Sequence, residues 1–296
     1  MSKRIGMIGV GVMGRPMAKL LAAKYDSVVV FDVDPNKTEW FARQDIKVAS
    51  TLAEVGTLAD IVILSLPASD VVKNVVLGKE ALISSLTEGS IVVDTSTTDP
   101  TLTRQMALKL AVRGISFLDA PVSGGEKGAI EGTLSVMVGG DEDVFDKCKE
   151  VLQTFGASVI RVGDSGMGQV CKLVNQMIVG ATFAVIAEGF ALGVKSGLKA
   201  KTLYEAIKGG WAGSKVLDVS AAAIIKHDFT PGGTVDIHYK DLGYALAVSK
   251  HEVSPMPVTA IVHEIFKAAK AAEKGKLSQP AIITLWEQIM GIKVNE

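Results

Sequence analysis

Aromatic residues are scarce, at 5% of 296 positions, although 48% of the chain is hydrophobic. A core built from it must rest on Val, Ile, Leu, Ala and Met, the composition of helices packed on parallel strands. Cysteine is scarcer still. Cys148 and Cys171 lie in helical patterns without metal-like spacing, which excludes a disulfide scaffold and leaves buried, reduced thiols. Charge of one sign is also missing: the net charge is -1, the pI is near 6.5 and the lysines are dispersed. Nucleic acid and membrane are therefore not expected partners, and a small molecule is. The four histidines, His227, His238, His251 and His263, share no ligand spacing with one another or with the cysteines, so no metal is expected. All four read as surface or helix residues, with His238, two residues before Lys240, the one expected near a site. No apolar run is both long and charge-free enough to read plainly as a membrane span; residues 178–194 come nearest and contain Glu188. The start, Met1-Ser2-Lys3-Arg4, runs into a strand without a signal peptide, and the expected location is cytoplasmic.

A chain of this length allows one very large domain or two ordinary ones. The first half alternates strands and helices. Residues 4–9 read as a strand, followed by Gly9-Val10-Gly11-Val12-Met13-Gly14, a helix to about Lys24 and a second strand over 27–31 that ends in Asp32. Strand, glycine triplet, helix, strand and acid in this order form a dinucleotide-binding pattern. Gly9 serves a tight turn, Gly11 lets backbone approach a pyrophosphate, and Gly14 permits close helix-to-strand packing. Gly9, Gly11, Val12, Met13 and Gly14 are thus the expected pyrophosphate loop, at a helix N-terminus that favours anions. Asp32, 21 residues after Gly11, is placed to hydrogen-bond ribose hydroxyls and to repel a 2′-phosphate. With Val33 next to it in place of an arginine, the expected cofactor is NAD rather than NADP.

Further strands over 61–65, 91–93, 116–118 and 134–138 continue a mostly parallel, doubly wound α/β sheet. Ligands bind beyond the carboxyl ends of such strands, which brings Leu66, Pro67, Ser96 and Thr97 to the cofactor. Thr98 and Asp99 suit the cap of a helix over 101–113. The loop Ser123-Gly124-Gly125 offers close backbone approach to a carboxylate.

Gly166-Met167-Gly168 opens a long apolar helix reaching roughly to Lys195, on which Lys172 lies beside Asn175 and Gln176. A lysine ordinarily carries its ammonium out to water, and burying one beside two amides is costly. From there the chain reads as helical throughout, at about 199–208, 215–226, 237–251, 258–273 and 279–290. The expected domains are 1–164, a Rossmann dinucleotide-binding domain, and 165–296, an all-helical domain.

Four segments, residues 9–18, Asp119-Ala120-Pro121-Val122-Ser123-Gly124-Gly125, residues 166–172 and Lys240-Asp241-Leu242-Gly243, resemble in order the signatures of the β-hydroxyacid dehydrogenase family. The resemblance covers essentially the whole chain. It implies an NAD-dependent oxidoreductase interconverting a 3-hydroxy acid and its semialdehyde, with Lys172 as catalytic acid and base. Ser123, Gly124 and Gly125 would hold the substrate carboxylate, and Asn175, Gln176 and Asp241 would lie by the substrate. Gln176 departs from the asparagine of the broader pattern. Lys240 would meet the cofactor, and the helical domain would build a homo-oligomer, a dimer or tetramer. Residues 209–214, Gly-Gly-Trp-Ala-Gly-Ser, resemble the branch that reduces 2-hydroxy-3-oxopropionate (tartronate semialdehyde) to glycerate. Trp286-Glu287-Gln288 is more similar to the branch acting on 2-(hydroxymethyl)glutarate, and 3-hydroxyisobutyrate is a third substrate within the family. A scaffold that had lost catalysis would show a replaced lysine or a damaged glycine triplet; neither is seen. Imine reduction, in a related class, tends to go without a lysine at this position.

Overall fold

A computed structural model describes residues 3–295 and divides the chain into two compact units, one running to Lys172 and one beginning at Leu173. The first unit holds, in order, β1 (Ile5–Ile8), α1 (Gly14–Lys24), β2 (Val28–Phe31), α2 (Pro35–Ala42), β3 (Lys47–Val48), α3 (Leu52–Leu58), β4 (Ile61–Leu64), α4 (Ser69–Leu77), β5 (Ile91–Asp94), α5 (Pro100–Ala111), β6 (Ser116–Asp119), β7 (Val122–Ser123), α6 (Gly125–Glu131), β8 (Leu134–Gly139), α7 (Glu142–Leu152) and β9 (Gly156–Gly163). It ends on the first turns of α8 (Met167–Lys195).

Among the described residues the strands make one nine-stranded sheet in the order β3-β2-β1-β4-β5-β6-β8-β7, with β9 on β8. The first six strands are mutually parallel and have the doubly wound order 3-2-1-4-5-6. Alternation of side chains across the pleat explains the core. Ile5, Met7, Val28, Val30, Ile61, Ile63, Ile91 and Val93 pack on one face with Met17 and Leu21 of α1. Ile8, Val29, Val62, Leu64 and Val92 pack on the other with Val55, Val72, Val76, Met106 and Leu110 of α3, α4 and α5. Strands buried on both faces have to be apolar at every position, as Ile-Val-Ile-Leu of β4 is.

The second unit continues α8 and adds α9 (Ala200–Ile207), α10 (Lys215–Lys226), α11 (Val235–His251), α12 (Pro257–Ala271), a 3-10 turn (Gln279–Ile282) and α13 (Ile283–Met290). Phe183, Ala184, Ala187, Phe190 and Ala191 of α8 form its core with Leu217, Ile224, Leu242, Val262 and Phe266. By length and composition α8 could cross a membrane, but this face is buried in protein. Ser214 and Thr234 cap α10 and α11 by accepting from the N–H groups of Leu217 and Ile237.

The structure departs from the sequence expectations at the loop after Ser123, among other places. The glycine-rich segment there becomes helical at Gly125, and the first turn of α8 groups with the sheet in the first compact unit.

Candidate active site

One line of register organises the carboxyl ends of the parallel strands. Phe31 pairs with Ile8, Ile8 with Leu64, Leu64 with Asp94, and Asp94 with Asp119. The loops after β1, β2, β4, β5 and β6 consequently emerge at one edge of the sheet.

At the β1 end, Gly9 takes a left-handed conformation (φ 87°). A Cβ at Gly14 would collide with the Gly9 carbonyl oxygen, whereas one at Gly11 would meet nothing within 4 Å, so backbone there faces open space. Helix α1 begins with no side-chain cap and no acid in its first turn, leaving its N-terminus free of competing negative charge. Val12 is exposed and Met13 half-buried beside it. Asp32 is nearly buried: its Oδ2 accepts from Val10 N at 2.9 Å and its Oδ1 from Asp34 N at 3.0 Å, with Lys37 Nζ at 3.4 Å. The carboxylate thus ties the glycine loop to the end of β2 and retains acceptor capacity on Oδ2. These residues fit a dinucleotide.

Ser96 is buried and braces the neighbouring loop, its Oγ accepting from Leu66 N at 2.9 Å. Thr97 is half-buried and Pro67 follows in the same loop as Leu66. Asp99 caps α5 by accepting from Thr101 N at 2.7 Å.

The start of α8 is fastened to this edge. Asp119 Oδ1 accepts from Gly166 N at 2.7 Å and Oδ2 from Gln169 N at 2.9 Å. A Cβ at Gly168 would run into the Asp119 carboxylate and the Met137 carbonyl, so the approach requires glycine. Gln169 Oε1 accepts from Thr98 N at 2.9 Å, and its Nε2 donates to Ser96 O at 2.8 Å. Burial pushes the Asp94 carboxyl up to about 7 against the hydrogen bonds it accepts from Ser96, and adjacent Asp119 adds repulsion. Burial also raises Asp119, opposed by the Gly166 and Gln169 N–H groups. Lys172, one turn on from Gln169, is only 7% exposed. It does not follow the ordinary habit of surface lysines.

The remaining sequence-nominated residues fall into two groups. Ser123 closes β7, paired with Ser135, and Gly124 and Gly125 follow with φ of 139° and 66°. In the second unit, Asn175 Nδ2 donates to Gln176 Oε1 at 2.9 Å, Gln176 Nε2 donates to Asp241 Oδ2 at 2.7 Å, and Lys240 Nζ lies 3.2 Å from Asp241 Oδ1. A carboxylate only accepts, so Asp241 fixes which way the Gln176 amide faces. His238 is fully buried, its Nε2 donating to the Gln176 carbonyl at 2.9 Å while the ring stacks on Phe266.

Sequence reading passed over Asp94, Asp119 and Gln169 as contributors. The available signals were acids ending the apolar runs of β5 and β6, and a glutamine three residues before the lysine on the same helical face.

Residues 4–163 match the NAD binding domain of 6-phosphogluconate dehydrogenase, and residues 166–286 match the family described as NAD-binding of NADP-dependent 3-hydroxyisobutyrate dehydrogenase. The chain is 37% identical to 2-(hydroxymethyl)glutarate dehydrogenase of Eubacterium barkeri, over 99% of this chain and 98% of that one. It is 34% identical to 2-hydroxy-3-oxopropionate reductase of Escherichia coli (strain K12), over 98% and 99%. Among solved structures, a Mycobacterium tuberculosis 3-hydroxyisobutyrate dehydrogenase with L-serine superposes with a TM-score of 0.85 at 31% identity, over 96% of this chain and 99% of that one. A 3-hydroxyisobutyrate dehydrogenase from Salmonella typhimurium gives 0.87 at 26%, also over 96% and 99%. With its glycine loop, its doubly wound sheet and its helical second half matched from end to end, the chain belongs to the β-hydroxyacid dehydrogenase family of nicotinamide-dinucleotide-dependent oxidoreductases.

Proposed function

We propose that this enzyme interconverts 2-hydroxy-3-oxopropionate and glycerate with NAD(H), using Lys172 as acid and base. The observation that carries the reading is a nearly buried lysine at the start of a helix fastened to the strand ends that also carry the dinucleotide loop. Residues 1–164 bind the dinucleotide, with the Gly9–Gly14 loop, Asp32, Leu66, Pro67, Ser96 and Thr97 as its contacts. Asp32 and the adjacent Val33 support NAD over NADP. Residues 165–296 complete the enzyme and assemble it as a homo-oligomer.

A nicotinamide dinucleotide held there supplies hydride on reduction and accepts it on oxidation. The chain's own part is to hold the substrate and move a proton. Backbone N–H groups of Ser123, Gly124 and Gly125 receive the carboxylate. Lys172 Nζ stabilises the negative charge that develops on the carbonyl oxygen and gives that oxygen its proton; on oxidation the neutral amine takes the proton back. Asn175, Gln176 and Asp241 orient the substrate.

A second reading, oxidation of 2-(hydroxymethyl)glutarate, is favoured by the 37% identity to that dehydrogenase and by Trp286-Glu287-Gln288. Rates of NADH oxidation with 2-hydroxy-3-oxopropionate, 2-formylglutarate and methylmalonate semialdehyde, repeated with NADPH, separate the two. The highest kcat/KM is expected with 2-hydroxy-3-oxopropionate and NADH. A preference for 2-formylglutarate selects the second reading, and no turnover of any semialdehyde refutes both.

A further inference from the structure

The carboxamide of Gln169 is fully buried and makes two hydrogen bonds to one loop, accepting from Thr98 N at 2.9 Å and donating to Ser96 O at 2.8 Å. A backbone N–H only donates and a carbonyl only accepts, so these partners fix the orientation of the amide. The helix itself does not need this side chain. Its N-terminus is already held by Asp119, which accepts from Gly166 N and Gln169 N. Gln169 reaches across to the loop after β5 instead, and Ser96 Oγ in turn accepts from Leu66 N in the loop after β4. A continuous series of hydrogen bonds therefore runs from the β4 loop through the β5 loop to the first turn of α8. Lys172 stands three residues beyond Gln169 on the same helical face.

We propose that Gln169 is a positioning residue that holds Lys172 in register with the Ser96–Thr98 loop. The proposal rests on the reading of Lys172 as proton donor and concerns the group that places it. A side chain whose two polar ends both meet buried backbone behaves as a rigid strut, because releasing it orphans a buried N–H and a buried C=O together. Replacing it leaves the Gly9–Gly14 loop and Asp32 intact and loosens only the loop that carries Ser96 and Thr97, so dinucleotide binding weakens little while the placement of the ammonium is lost. The expected signature is a loss in kcat with little change in KM.

The test compares native enzyme, Gln169→Leu, Gln169→Glu and Lys172→Ala, using NADH and whichever semialdehyde of the panel the native enzyme turns over. Gln169→Leu removes both bonds at similar volume. Its kcat should fall about 10- to 100-fold, as expected for a misplacement on the order of 1 Å, with semialdehyde KM and NADH affinity by fluorescence titration within about threefold of native. Hydrogen exchange at the Thr98 amide should accelerate. Gln169→Glu still accepts from Thr98 but meets the Ser96 carbonyl with a proton only when protonated. Its kcat relative to native should therefore rise as pH is lowered, a readout that also serves if Gln169→Leu does not fold. A kcat within about threefold of native in folded Gln169→Leu, a loss carried by KM or NADH affinity, or a Gln169→Glu profile parallel to native overturns the proposal. If Lys172→Ala abolishes turnover while Gln169→Leu retains it, the positioning role alone is wrong. Turnover that survives Lys172→Ala withdraws the functional reading and this role together.

Discussion

Asp94 and Asp119 stand side by side at the ends of β5 and β6, both without solvent exposure. Their burial makes the fold sensitive to pH in a direction opposite to that of a salt-bridged carboxylate. Asp94 is raised from 3.8 to about 7, so the folded state binds its proton more tightly than the unfolded chain does. That contribution to stability is fully present below about pH 3.8 and is lost as pH rises through about 7. The shift corresponds to on the order of 4 kcal/mol. Asp94→Asn keeps an acceptor for Ser96 N and cannot ionise. Urea unfolding at pH 4, 6 and 8 should show the variant gaining on native protein as pH climbs; a difference in unfolding free energy that does not vary with pH contradicts this.

Among elements, legibility followed the reach of each interaction along the chain. The buried parallel strands were legible because burial on both faces demands unbroken apolar runs, and Asp99 was legible as a cap because its partner lies two residues away. Helix α6 was not, since Gly125 and Gly128 lower helix propensity; Gly128 lies against Leu134 of β8, a packing contact with no local trace. The two-residue strands β3 and β7 are too short to show a period. Gln169 escaped notice because its partners lie 71 and 73 residues away. Lys172 was conspicuous for the reverse reason, as a charge in an apolar helical run. On α8, Val174, Ile178, Val185 and Leu192 are 47 to 64% exposed in the single chain, and their spacing sets them along one side of the helix. A second copy of the chain is the proposed cover. Native protein should sediment as an oligomer and Ile178→Glu should shift it toward the 31.1 kDa protomer; native protein already sedimenting at that mass contradicts the assignment.

At the scale of the molecule, the chain combines a dinucleotide-binding sheet and a helical unit that share one helix, with Lys172 as the last residue of the first unit. Family membership and oxidoreductase chemistry follow from end-to-end similarity, whereas the choice of substituent at C2 of the substrate was not legible from any single motif. Residues 209–214 and 286–288 point to different branches, because specificity depends on pocket shape rather than on the residues that move the proton. The most direct test of the proposed chemistry is kcat for NADH-dependent semialdehyde reduction by Lys172→Ala beside native enzyme, with unfolding temperature and NADH affinity measured on both. A fall of about 10²- to 10⁴-fold in kcat, in a variant that folds and binds NADH normally, is the predicted result. Native kcat in that variant contradicts it.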